Sequence, residues 1–387
     1  MKNRNRFLEK RSALISMVLC LLFLFSSCQK GEEIDVLVSK SVLVYMSANN
    51  NLAAEAMDNI NQMESGFGDF DGKLIVYARV FGQAPKIYEI VHDRSPRIVS
   101  KVLKTYPEHN ASDPEVMKMV FRDMQDLSRS ESYGAILWSH ATNWHPGTEK
   151  KMTKLKSFGE DGGKTMDIMD LKRVLPRNLD YLIFDACSMG SVEVLYELRD
   201  IVPLVLASPT EVISVGMPYD RIVEFLLMRD SREGLKRAAQ LYYEFYSRQQ
   251  GQMQSATFSL VDMGEMDNLA KAMREVIEKH PGTVVHRESV QRLDLDVNAV
   301  NTVPAFDLLD FCAKNYPRQD YEMVRQQVNR TVLYKVNTSH FLGTPINAFS
   351  GLSCYIPSRS ESRFFKYYQS LNWSRVSSYF RLFQAYS

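Results

Sequence analysis

The sequence is poor in cysteine, and its five cysteines form no C-x-x-C pair. Common structural zinc sites and dithiol redox motifs need such a pair, so neither is predicted. No basic run is present, and the residues after position 27 carry a formal charge of −3, because residues 1–27 contribute +4 to a total of +1. A mildly acidic chain of this kind is not expected to bind nucleic acid. We expect no metal or organic cofactor; no spacing indicates a calcium site, but a calcium requirement stays open.

The chain also lacks an apolar run of about 20 residues, the length that a membrane-spanning helix requires. Residues 12–25 are largely apolar, follow a basic start and lead to Ser26, Ser27 and Cys28, a pattern typical of an exported bacterial lipoprotein. We therefore expect residues 1–27 to be a signal peptide, Cys28 to carry a lipid, and residues 28–39 to form a polar tether. The protein would then be exported and anchored to a membrane by this lipid, in the periplasm or at the cell surface. A cleaved signal without a lipid, or an uncleaved anchor, is the alternative.

Three cysteines remain for the folded part of the chain, namely Cys187, Cys312 and Cys354. An odd number of widely spaced cysteines does not indicate a disulfide scaffold, even in an exported protein. Cys312 and Cys354 lie in apolar patterns and are predicted to be core residues, because free cysteine is among the most buried residue types.

The apolar pattern predicts an α/β fold. Five apolar runs predict buried strands: residues 41–46, 73–80, 134–138, 179–184 and 202–207. Amphipathic segments alternate with them, such as residues 113–127, which open with an N-cap acid and a proline. This alternation is typical of a mostly parallel sheet covered by helices on both faces.

The sequence pattern predicts more helices in the second half of the chain. Helices are predicted at 235–246, 266–277 and 306–311, and a strand at 352–357. We therefore divide the folded part into an α/β core, residues 40–225, and a C-terminal helical and strand part, residues 226–387, packed on that core. We expect the protein to be a monomer.

Two of the predicted strands run directly into residues that could react. The run 134–138 leads to His140, and the run 179–184 leads to Cys187. Reactive groups collect at the carboxyl ends of parallel strands, where an imidazole and a helix N-terminus would lower the pKa of the thiol. The backbone N–H groups of Cys187 and Ala141 could then form an oxyanion hole. This pattern alone does not decide the matter, because a buried free cysteine is usually a small apolar core residue. His145, on a Pro-Gly turn, is predicted to lie in an exposed loop.

The blocks at residues 138–140 (Trp-Ser-His) and 185–189 (Asp-Ala-Cys-Ser-Met), each after an apolar strand, resemble the clostripain family of cysteine peptidases. That family belongs to the same clan as caspases, gingipains and legumain. The similarity continues through residues 44–50 and 193–220 and into the C-terminal half, so that it covers nearly all of residues 40–380. The resemblance implies a caspase- and gingipain-like sandwich, peptide or protein substrates, and an endopeptidase that uses His140 and Cys187.

The sequence gives partial evidence for the residue that such an enzyme would prefer before the scissile bond. Residues two apart on a strand point to the same face, so Asp185 is expected to lie on the side of Cys187. A carboxylate there favours Arg or Lys, as clostripain-like enzymes prefer; the alternative is that Asp185 is a local capping acid. Val215 stands where a second acid would strengthen that prediction. Related enzymes cut themselves between the two blocks, which makes Lys154 and Lys156 candidate self-cleavage sites; a solvated lysine-rich loop is the alternative.

Two alternative functions remain at this point. The family usually has glycine where this chain has Ala141, and glycine tolerates backbone angles that alanine does not. A catalytically degenerate binding lipoprotein of the same fold is therefore the first alternative. The second is an α/β-hydrolase with Ser188 as the nucleophile and His280, His286 or His340 as the base.

Overall fold

The fold is built on a mixed β-sheet whose five central strands are parallel. The strands are β1 (Val38–Asn49), β2 (Gly72–Val80), β3 (Lys86–Glu89), β4 (Lys101–Thr105), β5 (Ser130–Trp138), β6 (Phe158–Asp161), β7 (Lys164–Met166), β8 (Leu179–Asp185), β9 (Leu204–Ala207), β10 (Thr257–Asp262), β11 (Phe306–Asp307), β12 (Val332–Asn337), β13 (His340–Phe341), β14 (Thr344–Pro345) and β15 (Ser353–Cys354). The order across the main sheet is β12-β10-β9-β8-β5-β1-β2-β3-β4, and β6 pairs with both β1 and β7.

The computed structural model describes residues 37–145, 157–296 and 303–386, and the chain from Val38 onward forms one structural unit. The predicted signal peptide, Cys28, Lys154 and Lys156 lie outside these ranges. Inside them, no helix combines the length and the apolar character that crossing a membrane requires.

Helices cover both faces of the main sheet. They are α1 (Ala53–Gly66), α2 (Pro114–Leu127), α3 (Ile168–Val174), α4 (Val192–Leu198), α5 (Tyr219–Leu226), α6 (Ser231–Ser247), α7 (Met266–Lys279), α8 (Leu308–Asn315), α9 (Arg318–Thr331), α10 (Phe365–Ser370) and α11 (Asn372–Val376). Leu43 and Tyr45 of β1 face the layer that contains α2, α3, α4 and α7. Val42 and Val44 face the opposite layer, which contains α1, α5 and α6. The predicted α/β sandwich is therefore confirmed.

Local sequence explains why these elements form where they do. Every residue of β1 from position 39 to 48 is buried, as expected for a strand that is apolar on both faces. Helix α2 begins as predicted, because the Asp113 carboxylate accepts a hydrogen bond from the Glu115 N–H at 2.8 Å and Pro114 occupies the first turn. The prediction that Cys312 and Cys354 are core residues is also confirmed, since both side chains are buried.

Several elements differ from the sequence prediction. Strands β10 and β12, which lie after residue 226, extend the main sheet on the side of β9 and were not predicted. Helix α9 and the β6–β7 hairpin were also missed. The strand predicted at 352–357 is shorter in the structure and consists of Ser353–Cys354. It pairs with β11, which occupies the first two residues of the helix predicted at 306–311. The domain boundary after residue 225 stays a prediction.

Candidate active site

Two neighbouring strands carry the predicted catalytic residues to one edge of the sheet. β5 and β8 pair in parallel, with Trp138 opposite Asp185 at their carboxyl ends. His140 and Cys187 each lie two residues further along the chain, so they leave the sheet side by side. Both line a cavity of about 420 Å³ at this edge. The structure thus brings together the pair that the sequence predicts.

The thiol of Cys187 is half-buried and contacts the segment that follows β9. The Val212 N–H lies 3.3 Å from Sγ, and the Val212 carbonyl oxygen accepts from Sγ at 3.7 Å. Burial raises the pKa of Cys187 to about 12, and the carboxylates of Glu211, Asp185 and Asp296 contribute to the rise. The sequence led us to expect a lowered pKa, and that expectation is wrong. The thiol is therefore neutral near neutral pH, and a role as nucleophile would require a base that removes its proton.

His140 is fixed through both its ring and its backbone. Its Nε2 lies 2.7 Å from Oδ1 of Asn51, and its carbonyl oxygen accepts from the Gly159 N–H at 3.0 Å. The preceding residue, Ser139, donates its hydroxyl to the carbonyl oxygen of Ser47 at 2.7 Å. The histidine is therefore held against the carboxyl end of β1 and the start of the β6–β7 hairpin.

The backbone of Ala141 has an ordinary conformation. Ala141 does not adopt a positive φ, so the position does not need glycine. It forms an antiparallel bridge with Phe158, flanked by hydrogen bonds that join residues 140 to 159 and 142 to 157. In such a pair the N–H of the bridged residue points away from its partner strand. Here that direction is the β8 side, because the Ser139 N–H, two residues earlier, donates to the Asp185 carbonyl at 3.4 Å.

Asp185 lies in the cavity wall and is 4% exposed. Its Oδ2 accepts from the Met217 N–H at 3.1 Å and from the Tyr219 hydroxyl at 2.9 Å. Burial raises the pKa of this carboxyl to about 6, and the two hydrogen bonds act in the opposite direction. Gly216 lies against it with a φ of +73°, and a Cβ there would come within 2.9 Å of Oδ2. Glycine at this position therefore keeps room beside the carboxylate.

Two further acids line the cavity, Glu211 and Asp296, and neither was predicted. Glu211 follows β9, so the rule that located the other two residues at strand ends would also have located it. Its Oε2 accepts from the Leu295 N–H at 3.0 Å, and burial raises its pKa to about 7. Asp296 comes from a distant loop, and no local pattern indicates its place. Glu211 and Asp296 line the cavity, whereas Val215, the position where a second acid was sought, does not.

The alternative nucleophile, Ser188, is not accompanied in the cavity lining by any of the three histidines considered as its base. Its backbone has a φ of +60°, and its N–H donates to the Thr210 carbonyl at 2.7 Å. Of the three histidines considered for it, His280 pairs with Asp320 at 2.7 Å, and none of the three lines the cavity. Among the described residues, no group of three or more His, Cys, Asp or Glu side chains is arranged to hold a metal ion.

The expectation for His145 is wrong, because this residue is buried rather than exposed. Its ring packs against Phe364 and Tyr367, which come from the C-terminal end of the chain. Burial, together with the charge of Arg363, lowers the pKa of His145 to about 4. The imidazole is thus neutral near neutral pH and belongs to an aromatic cluster away from the cavity lining.

Comparison with known proteins agrees with this arrangement. The profile of the Clostripain family matches residues 44–379. Clostripain of Hathewaya histolytica is 22% identical over an alignment that covers 88% of this chain and 79% of that protein. A secreted C11 cysteine protease from Bacteroides thetaiotaomicron, solved with an irreversible peptide inhibitor, has a TM-score of 0.76 at 27% identity and covers 88% of this chain and 99% of its own.

An inactive zymogen of a C11 protease from Parabacteroides distasonis shares the fold, with a TM-score of 0.76 at 24% identity over 88% of this chain and 98% of that one. These matches exclude the serine hydrolase, since the family profile spans most of the folded chain, including both strand-end residues. The chain belongs to the clostripain family and is a cysteine-type peptidase.

Proposed function

We propose that this protein is an endopeptidase that cleaves after Arg or Lys, with Cys187 as the nucleophile and His140 as the general base. The observation that carries the proposal is that both residues leave adjacent parallel strands and line one cavity together with three carboxylates. No cofactor is needed for these steps, because the chain itself supplies the nucleophile, the base and the oxyanion donors.

The reaction follows from the positions of these groups. The imidazole of His140 takes the proton from the thiol, and Sγ attacks the carbonyl carbon of the scissile peptide bond. The negative charge on the carbonyl oxygen is held by the N–H groups of Cys187 and Ala141, the second of which points toward β8. The imidazolium then protonates the leaving amine, and a thioester remains. Water, deprotonated by the same imidazole, hydrolyses the thioester and restores the thiol.

The charge of the cavity supports a basic residue before the scissile bond. Asp185, Glu211 and Asp296 all line it. A guanidinium or ammonium group placed among them forms charge-assisted hydrogen bonds and favours the ionised form of each carboxyl. The Bacteroides thetaiotaomicron relative is solved with a peptide inhibitor, which supports peptide substrates for this chain as well.

The test is hydrolysis of fluorogenic peptides that end in Arg, Lys, Ala or Asp before the reporter. We expect turnover of the Arg and Lys peptides and its loss by about three orders of magnitude in Cys187→Ala. The matched control is Ser188→Ala at the adjacent residue, which should keep most of the activity. Loss through Ser188 alone would overturn the proposal. A purified chain that cleaves none of the peptides, with Cys187 intact, would instead support the binding lipoprotein.

We also propose self-cleavage after Lys154 or Lys156, export, and lipid attachment at Cys28. Self-cleavage is supported by the basic preference argued above and by the position of these lysines between the two catalytic blocks. Export is supported by the sequence of residues 1–28 and by the secreted relative.

A further inference from the structure

The active-site cavity also has apolar walls, which the mechanism above does not use. Besides the three acids, its lining includes the side chains of Met253 and Leu342. Met253 is 38% exposed, and Leu342 is half-buried. Neither residue belongs to the two hydrophobic layers that the described helices form with the sheet, and neither packs against those layers. Both therefore present apolar surface to the cavity rather than to the protein core.

Leu342 occupies a backbone conformation that is unfavourable for leucine. Strands β13 and β14 are joined by a two-residue turn, and its residues, Leu342 and Gly343, have positive φ values of +48° and +84°. Such turns favour asparagine followed by glycine, because a positive φ brings the Cβ of most residues too close to the backbone. Residues held in this kind of strain are concentrated at ligand sites. A leucine that is strained and lies outside the core therefore indicates a contact with a ligand.

The segments that carry Met253 and Leu342 are joined by a buried serine. Met253 ends the short turn that precedes β10, and Leu342 directly follows β13. Ser255, which is fully buried, donates to the Gln252 carbonyl at 2.6 Å and accepts from the Leu342 N–H at 2.7 Å. Met253 and Leu342 thus form one preformed surface, which we call the apolar wall.

The order of the strands indicates which part of a substrate meets the apolar wall. His140 follows β5 and Cys187 follows β8, whereas the wall is connected to β10 and β12, which lie on the far side of β9. In the proposed reaction the imidazole protonates the leaving amine, so the leaving part of the peptide lies toward β5. The acyl part, with its basic side chain among the acids, then extends toward β10 and β12.

The cavity has room for more than the basic side chain, since its volume of about 420 Å³ is typical of pockets that bind whole small ligands. In an extended peptide, successive side chains point to opposite faces, so the residue before the basic one points away from the acids. Asp185 is only 4% exposed, whereas the apolar wall is open to solvent. We propose that Met253 and Leu342 form a subsite for a large apolar side chain in the residue immediately before the basic one. This inference rests on the proposed function, which supplies the basic residue and the direction of the peptide.

The test uses two fluorogenic peptides that end in Leu-Arg or Gly-Arg before the reporter. The wild type should prefer the Leu-Arg peptide by about tenfold or more in kcat/KM, because an apolar side chain in an apolar subsite contributes a factor of that order. Leu342→Asn should reduce this ratio to below about threefold, chiefly through a higher KM for the Leu-Arg peptide. A wild-type ratio near one, or an unchanged ratio in Leu342→Asn, would refute the inference.

The matched control is Val284→Asn. Val284 is an apolar residue that is 73% exposed and does not line the cavity, so its replacement removes exposed apolar surface elsewhere. This variant should keep the wild-type ratio of the two peptides. An equal drop of the ratio in both variants would mean that the apolar wall has no specific role.

Stability provides a readout that does not depend on substrate. Asparagine tolerates a positive φ better than leucine, so Leu342→Asn should raise the melting temperature of the full chain by about 1–3 °C. Thermal unfolding of the variant and the wild type measures this shift. A lower melting temperature would mean that Leu342 is retained for packing within the protein, and the inference would then fail.

Binding separates this inference from the proposed function. In full-length protein carrying Cys187→Ala, calorimetry with the uncleaved Leu-Arg peptide should show weaker binding after Leu342→Asn and no such change after Val284→Asn. If the wild type cleaves no peptide, the proposed function fails, and this binding measurement still tests the subsite. A preference for leucine after the scissile bond, and none before the basic residue, would contradict the assignment.

Discussion

The thiol of Cys187 is subject to two opposing demands at the scale of single residues. Burial raises the pKa of this proposed nucleophile to about 12, and the acids that would bind a basic substrate side chain contribute to the rise. A cationic side chain bound among those acids would offset their effect on the thiol, since an opposite charge nearby favours the ionised form. The arrangement therefore links binding of a basic residue to easier formation of the thiolate.

The role of Asp185 can be tested by substitution and by pH. Asp185→Asn should lower kcat/KM for Arg peptides by about 30-fold or more, because it removes one partner of a buried charge pair. The pKa of this carboxyl is raised to about 6, so its charge is lost as the pH falls through that value, and KM for Arg peptides should rise there. This rise should be smaller in Asp185→Asn, where only the other cavity acids titrate, and should be unchanged in the control Asp200→Asn, which changes an exposed acid. Equal effects on Arg and Ala peptides would contradict the assignment.

Replacing Ala141 by glycine should have little effect on activity. Its φ is not positive, so a glycine relieves no strain. Ala141→Gly should change kcat/KM less than about threefold and lower stability by roughly 0.5–1 kcal/mol through backbone entropy. Peptide hydrolysis and thermal unfolding measure these two effects. A large gain in activity would mean that alanine does misplace the oxyanion donor.

At the scale of elements, α4 joins the segment after Cys187 to the C-terminal end of the chain. This helix begins shortly after Cys187 and contains two fully buried acids, Glu193 and Glu197. Glu193 accepts from the Tyr355 N–H at 2.9 Å and from the Tyr368 hydroxyl at 2.8 Å, and Glu197 accepts from the side chain and backbone N–H of residue 372. The helix that follows Cys187 is thus held in place by residues some 160 positions later in the sequence.

Glu193 should make stability depend on pH. Burial raises its pKa from 4.5 to about 7, so the folded state holds this proton more tightly than the unfolded state. The resulting stability is complete below about pH 4.5 and is lost as the pH rises through 7, by on the order of 3 kcal/mol. Glu193→Gln lacks this titration, so its melting temperature relative to the wild type should increase between pH 4.5 and pH 8. Glu233→Gln, at an exposed acid of α6, should show no such trend. A pH-independent difference in Glu193→Gln would argue against a buried charge.

At the scale of the whole molecule, the proposed self-cleavage sites lie between strands that are paired to each other. A cut after Lys154 or Lys156 leaves β1 and β5 on one fragment and β8 on the other, yet β5 and β8 are neighbours in the sheet. The fragments should therefore appear as two bands on a denaturing gel and elute together under native conditions. A Lys154→Ala, Lys156→Ala double variant should stay intact. Mass spectrometry that finds only the full chain in an active preparation would remove the proposal.

The N-terminal segment gives a second prediction at this scale. Cys28→Ala should remove lipid labelling and release the protein from the membrane fraction, because no lipid can then be attached at that residue. Peptide hydrolysis by the released protein should be unchanged, since the cavity is lined by residues from Leu52 onward. A variant that stays with the membrane would indicate an uncleaved anchor.

The fold was predictable where local signals are strong. The central parallel strands are apolar on both faces, and α2 has an N-cap acid and a proline, so periodicity and capping locate them. Helix α9 was missed because it is mostly polar, with few buried apolar residues such as Val324 and Val328. The strand β11 was missed because it has only two residues and exists through its pairing with the distant β15, and local periodicity does not reveal such a pairing.

The positions of His140 and Cys187 after buried strands follow from the amino-acid sequence alone, because strand composition and the residue after each strand are local properties. The tertiary structure decided which strands are neighbours, which acids share the cavity, and that Asn51 contacts the imidazole. It also decided the raised pKa of Cys187 and the burial of His145. The reason is physical: desolvation and contacts between side chains depend on residues far apart in the chain, and the order of local patterns does not specify those distances.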